Sequence, residues 1–383
     1  MTGVEISGHC APRFAKVKDA FAKNFAVGGE VGASFAATLD GELVVDLWGG
    51  SADAAGSRPW QRDTIANVWS TTKAMNALCA HMLVDRGLLD LDAPVARYWP
   101  EFAAAGKERL PVRYVLSHQA GLAGLSEPMP AEGVLDWARM TRALAAQAPL
   151  WEPGTRSGYH ALTIGFLVGE LLRRIDGRTL GEFFRREVAE PLGAEFWIGL
   201  PESEEPRVAE MIPPDPPQPL VEPPAADDPN AAFKRALGSP AVTQSIANTR
   251  AWRAAEISAA NGQANARGAA RAMAALACGG TLDGVRLLSE ATANGALAEQ
   301  CYGRDLVLGP MRWGLGFMLV SKDLPLSPNP RTCGHGGWGG SFALADLDAR
   351  VSLAYVMNRM SRGTTGDKRL GRLLRALYGG LPA

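Results

Sequence analysis

The chain has 383 residues, 47% hydrophobic and 21% charged, with 39 basic side chains against 40 acidic ones. That near balance, with no long run of one sign, leaves no footprint for nucleic acid or an anionic membrane surface. The five cysteines and five histidines are scattered without metal-ligand spacing or a disulfide framework, and neither a signal peptide nor a membrane-length apolar stretch is visible, so a cytoplasmic, cofactor-free globular protein is expected.

Phe14, Val17, Phe21 and Phe25 recur at helical spacing between residues 11 and 27, with lysines among them, which predicts an amphipathic helix. Two β-type runs follow, 31–39 and 42–48, joined by Asp40-Gly41, a strong hairpin signal. A loop through Gly49-Gly50 then leads to Trp69-Ser70-Thr71-Thr72-Lys73, the head of an apolar helix that ends near Arg86-Gly87. No other lysine in the chain has a serine three positions before it. If the helix starts at Ser70, Lys73 lies one turn on, on the same face, and the hydroxyl sits at the positive helix end. The common meaning of such a string is a cap plus a surface lysine. The rest of the chain has to decide.

The middle of the chain reads as helical and loop-rich. A short helix before Gly121 carries His118, read as a hydrogen bonder that fixes a loop. Helices are expected at about 131–147 and 161–176. Between them the turn Trp151-Glu152-Pro153-Gly154-Thr155 delivers Tyr159. Residues 201–230, with Pro213-Pro214-Asp215-Pro216-Pro217 and Pro223-Pro224, form no core and read as an extended loop or cover. A helix fits 266–278. Strands are expected at 313–320, 341–346 and 351–357, the last nearly all apolar and so central, before a closing helix at about 367–378. Strands at both ends and helices between predict an α/β protein of the α+β type. Residues 1–88 and 305–383 would build a mainly antiparallel sheet domain, and 89–304 a mostly helical insertion.

A serine nucleophile needs a proton acceptor and a place for the oxyanion. The chain lacks Gly-x-Ser-x-Gly, which argues against an α/β-hydrolase elbow. His160 follows Tyr159 and could flank a site, but no carboxylate is evident to orient it. Lys73 and a tyrosine remain. An unperturbed lysine, with a pKa of about 10.4, is almost wholly protonated at neutral pH, so either a neutral Lys73 or an ionised tyrosine beside it would be required. Both alternatives stay open.

Three boxes together resemble the class C β-lactamase and penicillin-binding-protein superfamily of serine hydrolases, and within it the family VIII carboxylesterases. They are Ser70-Thr71-Thr72-Lys73, then Tyr159-His160-Ala161, and Gly334-His335-Gly336-Gly337-Trp338-Gly339-Gly340. The resemblance spans roughly residues 15–375 and implies a β-lactamase-like fold. It assigns Ser70 as nucleophile, Lys73 as its amine, Tyr159 as the phenol that shuttles the proton, and the backbone N–H groups of Ser70 and Trp338 as the oxyanion hole. His335, Gly336, Gly337, His160 and Trp151 are implied as substrate-binding. Ala161 replaces the superfamily's amide side chain and His335 its lysine, two changes that suit neutral esters better than anionic lactams. A short-chain esterase acting on a small-molecule ester is therefore expected. A β-lactamase or D,D-peptidase, an acyltransferase to a small acceptor, and a non-catalytic binding protein of the same fold are the alternatives, and oligomeric state is not readable.

Overall fold

The computed structural model describes residues 4–217, 221, 225, 228, 230–363 and 367–381 (the side chain of 232 excepted). Its centre is a nine-stranded sheet, antiparallel at every pairing. The strands are β1 (Ile6–Cys10), β2 (Gly32–Leu39), β3 (Glu42–Gly50), β4 (Cys301–Asp305), β5 (Gly309–Trp313), β6 (Met318–Leu319), β7 (Thr332–Gly336), β8 (Phe342–Asp346) and β9 (Val351–Met357). Their order across the sheet is β1-β3-β2-β9-β8-β7-β6-β5-β4. Asp40 and Gly41 turn β2 into β3 with φ of 53° and 86°, the sign pattern of a tight hairpin that follows the strand twist. β9 is buried at every residue, as its unbroken apolar run requires.

Helix α1 (Ala15–Ala26) packs with the C-terminal helix α7 (Lys368–Tyr378) on one face of the sheet. Phe14, Val17 and Phe21 are fully buried there, each contributing about 1.5–3 kcal/mol of apolar burial. The alanine-rich helix α6 (Ala266–Ala277) packs on the opposite face against β2, β8 and β9. Its small side chains allow an approach close enough for Ser352 Oγ to donate to Ala270 O at 2.8 Å and Ala266 N to Ser34 Oγ at 3.2 Å. Beyond the sheet lie α2 (Thr72–Asp85), α3 (Trp137–Ala146), α4 (Thr163–Asp176) and α5 (Ala231–Leu237). All but the last two residues of α2 are buried. It is a core helix, walled by β7 and α4.

Two features differ from the sequence reading. The run 313–320 is not one strand: Gly314 N donates to Phe317 O at 2.9 Å, closing a reversal between β5 and β6. β4 ends at residue 305, and α6 packs on the sheet. Strand β1, pairing with β3, was not expected. The described part of the proline-rich segment is fixed at two points, where Val208 and Ile212 form isolated parallel bridges to Ile65 and Arg359. Pro223 and Pro224 lie outside the described residues. Among the described residues no helix is long and apolar enough to cross a membrane.

Candidate active site

Ser70 lies in a short 3-10 turn, Trp69–Thr71, that runs directly into α2. The residue before it, Trp69, has φ of 46°, a left-handed backbone that a bulky side chain rarely adopts. Surrounding contacts hold that strain. The Trp69 ring packs at 5.6 Å from Trp252 and 5.1 Å from Trp338, and Thr72 Oγ1 donates to Trp69 O at 2.6 Å. The result exposes the Ser70 side chain in part, while its neighbours are buried.

Lys73 is 1% exposed. Its Nζ lies 3.0 Å from Ser70 Oγ, 2.7 Å from Ala161 O and 2.8 Å from Ala259 O. No ion pair involves it among the described residues, and burial pulls its pKa well below the ordinary lysine value. Tyr159 completes the trio. Its ring centroid is 4.7 Å from Lys73 Nζ, and burial, partly offset by the nearby Ser70 hydroxyl, pushes its pKa up, so the phenol keeps its proton.

The third box reaches the same place from β7. Gly337 runs so close to the nucleophile turn that a Cβ there would sit 2.2 Å from Val68 O. Only glycine fits. Ser341 Oγ ties the two boxes together, donating to Val68 O at 2.8 Å with Thr71 Oγ1 3.1 Å away. Gly340 N donates to Gly337 O at 3.1 Å, closing a tight turn with Trp338 and Gly339 at its corner. Among the described residues neither the Ser70 N–H nor the Trp338 N–H donates a hydrogen bond.

The implied substrate contacts are placed unequally. His335 is fully buried and stacks on Tyr159 at 5.9 Å. Its Nδ1 bonds Gly336 O at 2.8 Å, Nε2 has no partner among the described residues, and burial lowers its pKa to about 3. His160 sits behind Tyr159 with both nitrogens engaged: Nε2 accepts from Leu122 N at 3.1 Å and Nδ1 bonds Gly158 O at 2.6 Å. That leaves it no nitrogen for a substrate. His118 fixes the loop as expected, its Nδ1 accepting from His160 N at 3.1 Å, and its ring also stands edge-on to Tyr159. Trp313 is fully buried and stacks flat on Tyr159 at 5.9 Å. Asp305, which sequence reasoning missed, anchors this cage. Its carboxylate accepts from Tyr159 N, Val307 N, Leu308 N and Trp313 Nε1. An isolated aspartate carries no motif, and only the fold brings it to Tyr159.

Beside Ala161 a cavity of ≈60 Å³ is walled by Ala123, Leu162, Val221, Leu237, Pro240 and Val242 among others. Val221 and Leu237 also wall a second cleft of ≈700 Å³, which contains Trp151 and Phe233. The Trp151 ring also stands edge-on to His160 at 6.0 Å. No cluster of three or more histidine, cysteine or acidic side chains suited to a metal occurs among the described residues.

Comparison with known proteins places this geometry in context. Residues 17–377 match the beta-lactamase family. The esterase/beta-lactamase LipL of Mycobacterium tuberculosis is 39% identical over 94% of this chain and 84% of its own length. A solved family VIII carboxylesterase superposes with a TM-score of 0.92 at 49% identity, covering 98% of this chain and all of that one. A penicillin-binding protein homologue from Caulobacter crescentus gives 0.91 at 46% identity, with coverage of 98% and 100%.

Proposed function

The chain belongs to the beta-lactamase family, and from that premise we propose that it is a carboxylesterase cleaving short-chain esters through an acyl-enzyme on Ser70. The observation that carries the reading is the set of contacts around Lys73. A neutral amine has two N–H groups and one lone pair. Two of the contacts of Nζ are carbonyl oxygens, which can only accept, so the lone pair is left for the Ser70 hydroxyl. With its pKa pulled down by burial, Lys73 serves as the base and Tyr159 stays a phenol.

In acylation, Ser70 Oγ attacks the ester carbonyl carbon while its proton passes to Lys73 Nζ. The carbonyl oxygen, now an oxyanion, takes the N–H groups of Ser70 and Trp338. The bond to the alcohol oxygen then breaks, and Tyr159 relays the proton from Lys73 to the leaving alkoxide. Water reverses the sequence in deacylation and releases the acid. The edge formed by His335, Gly336 and Gly337 holds the substrate. His335 is held neutral and so offers no cation to an anionic lactam, and Ala161 offers no side-chain amide. The ≈60 Å³ cavity beside Ala161 takes a short acyl chain. The five unpaired cysteines suit a reducing compartment, so we infer a cytoplasmic enzyme.

Initial rates on p-nitrophenyl butyrate and a chromogenic cephalosporin, for wild type and Ser70→Ala, test this. We expect ester turnover to fall by at least about 10³-fold in the variant, with lactam cleavage slow in both. Ester hydrolysis surviving in Ser70→Ala would overturn the assignment.

A further inference from the structure

We propose that Arg369, which contacts the turn carrying Trp338, is a positioning residue for the oxyanion hole. The inference rests on the assignment of Trp338 N–H as an oxyanion donor. Arg369 is the second residue of α7 and is 5% exposed. Every donor of its guanidinium is used. Nη1 donates to Gly29 O at 2.9 Å, Arg359 O at 2.8 Å and Glu30 Oε2 at 3.0 Å. Nε faces the Asp367 carboxylate at 3.1 and 3.2 Å. Nη2 donates to Asp367 Oδ2 and to Gly339 O, both at 2.7 Å. The last contact matters for chemistry, because Gly339 directly follows Trp338 in the turn that Gly337 and Gly340 close.

That turn has few other supports. Ser361 N donates to Gly339 O at 2.8 Å, and Ser361 Oγ lies between Gly339 O at 3.2 Å and Asp367 Oδ2 at 2.8 Å. Gly337 N donates to Ser341 O at 2.7 Å. The turn is therefore pinned from one side by Ser341, just ahead of β8, and from behind by Arg369, itself oriented by Asp367 and Glu30. A planar fork meeting one carbonyl and one carboxylate along the same edge fixes the direction of the Gly339 carbonyl as well as its position. The Gly339 carbonyl belongs to the 339–340 peptide, and the Gly340 N–H of that same peptide donates to Gly337 O at 3.1 Å, so Arg369 acts on the Trp338 N–H through the closure of this turn. An oxyanion donor displaced by about 1 Å costs up to about 10²-fold in rate.

Arg369→Lys keeps a cation near Asp367 and Glu30 but cannot span three backbone carbonyls and both carboxyl groups at once. We expect kcat for p-nitrophenyl butyrate to fall about tenfold to a hundredfold with KM within about twofold. Affinity for an alkylboronic acid, which becomes tetrahedral on the nucleophile, should fall by the same factor as kcat/KM. Lower thermal stability with kcat and boronate affinity both within twofold of wild type would mean a purely structural arginine and would overturn the proposal. Should Arg369→Lys not fold, Asp367→Asn, which loosens the fork while leaving the guanidinium, carries the same comparison. Failure of the boronate to bind wild type would instead count against the Ser70 and Trp338 assignment.

Discussion

Leu237 separates two spaces of very different size, and its truncation makes a quantitative test of where the acyl chain goes. In the wild type the ≈60 Å³ cavity beside Ala161 has room for roughly two to four water-sized groups, enough for an acetyl to butanoyl chain. The adjoining cleft of ≈700 Å³ begins on the other side of the same leucine. Leu237→Ala opens the partition, with Val221 left as the remaining shared wall. Each methylene that then enters apolar surroundings contributes about 0.8 kcal/mol, or about fourfold in kcat/KM. An octanoyl chain has four methylenes more than butanoyl, which sets a ceiling of about 200-fold. The cleft also carries Arg156 and Lys234, so part of the chain stays near polar groups. About tenfold to thirtyfold is the realistic gain in the octanoyl-to-butanoyl ratio. Leu237 is half-buried at the end of α5, remote from the main core, so the variant should fold. The assay is kcat/KM across p-nitrophenyl esters from acetyl to decanoyl. Superimposable chain-length profiles for wild type and Leu237→Ala would refute the placement of the acyl group.

Two pH dependences complete the set. Burial holds Lys73 well below its usual value of 10.5, and with the neutral amine as the proposed base kcat/KM should rise with pH and level off well short of that value; an acid limb centred near an ordinary lysine would exclude the neutral base. Glu30 behaves in the opposite sense to a typical carboxylate. Burial, only partly opposed by Arg369, raises its pKa from 4.5 to about 8. The folded protein therefore keeps a proton that the unfolded chain has released, and stability declines as pH rises from about 4.5 to about 8. Across that window wild-type urea midpoints should fall relative to those of Glu30→Gln, while the buried neutral His160 and His335 add an opposite slope common to both. An equal slope in both would assign the decline to other groups.

How much of this was legible in the sequence differs by element. The Ser70–Lys73 pair is local, one helical turn, and needed only the spacing and an apolar continuation. The helix at 163–176 and strand at 351–357 followed from unbroken apolar runs and fall within two residues of expectation. The run at 313–320 misled because its apolar residues fit a strand while Gly316, at φ of 88°, forces the chain to reverse. Tyr159 was found through its box, but its cage was not. Asp305 and Trp313 lie over a hundred residues further along, and nothing near either marks a partner. Arg369 and Glu30 were invisible for the same reason: |i−j| is 339 for their contact. Ala161 and Leu237 illustrate the converse. The first was noticed for what it lacked, and the second lies just past a proline-rich stretch that gave no pattern to read.

The pairing of β2 with β9 has a consequence for biosynthesis. Thr38 and Ser352, which share a hydrogen bond across that seam, are 314 residues apart. On the ribosome the β2–β3 hairpin therefore emerges with an apolar edge that stays open until almost the whole polypeptide has been made. Such long-range closure slows folding and exposes strand edges to other nascent chains. The edge is closed by β9, a strand buried at every residue, so any chain truncated before residue 351 leaves the hairpin unpartnered. Premature termination should yield insoluble fragments rather than a partly active enzyme, and holdase chaperones that recognise exposed strands would be the natural guardians of this chain during translation.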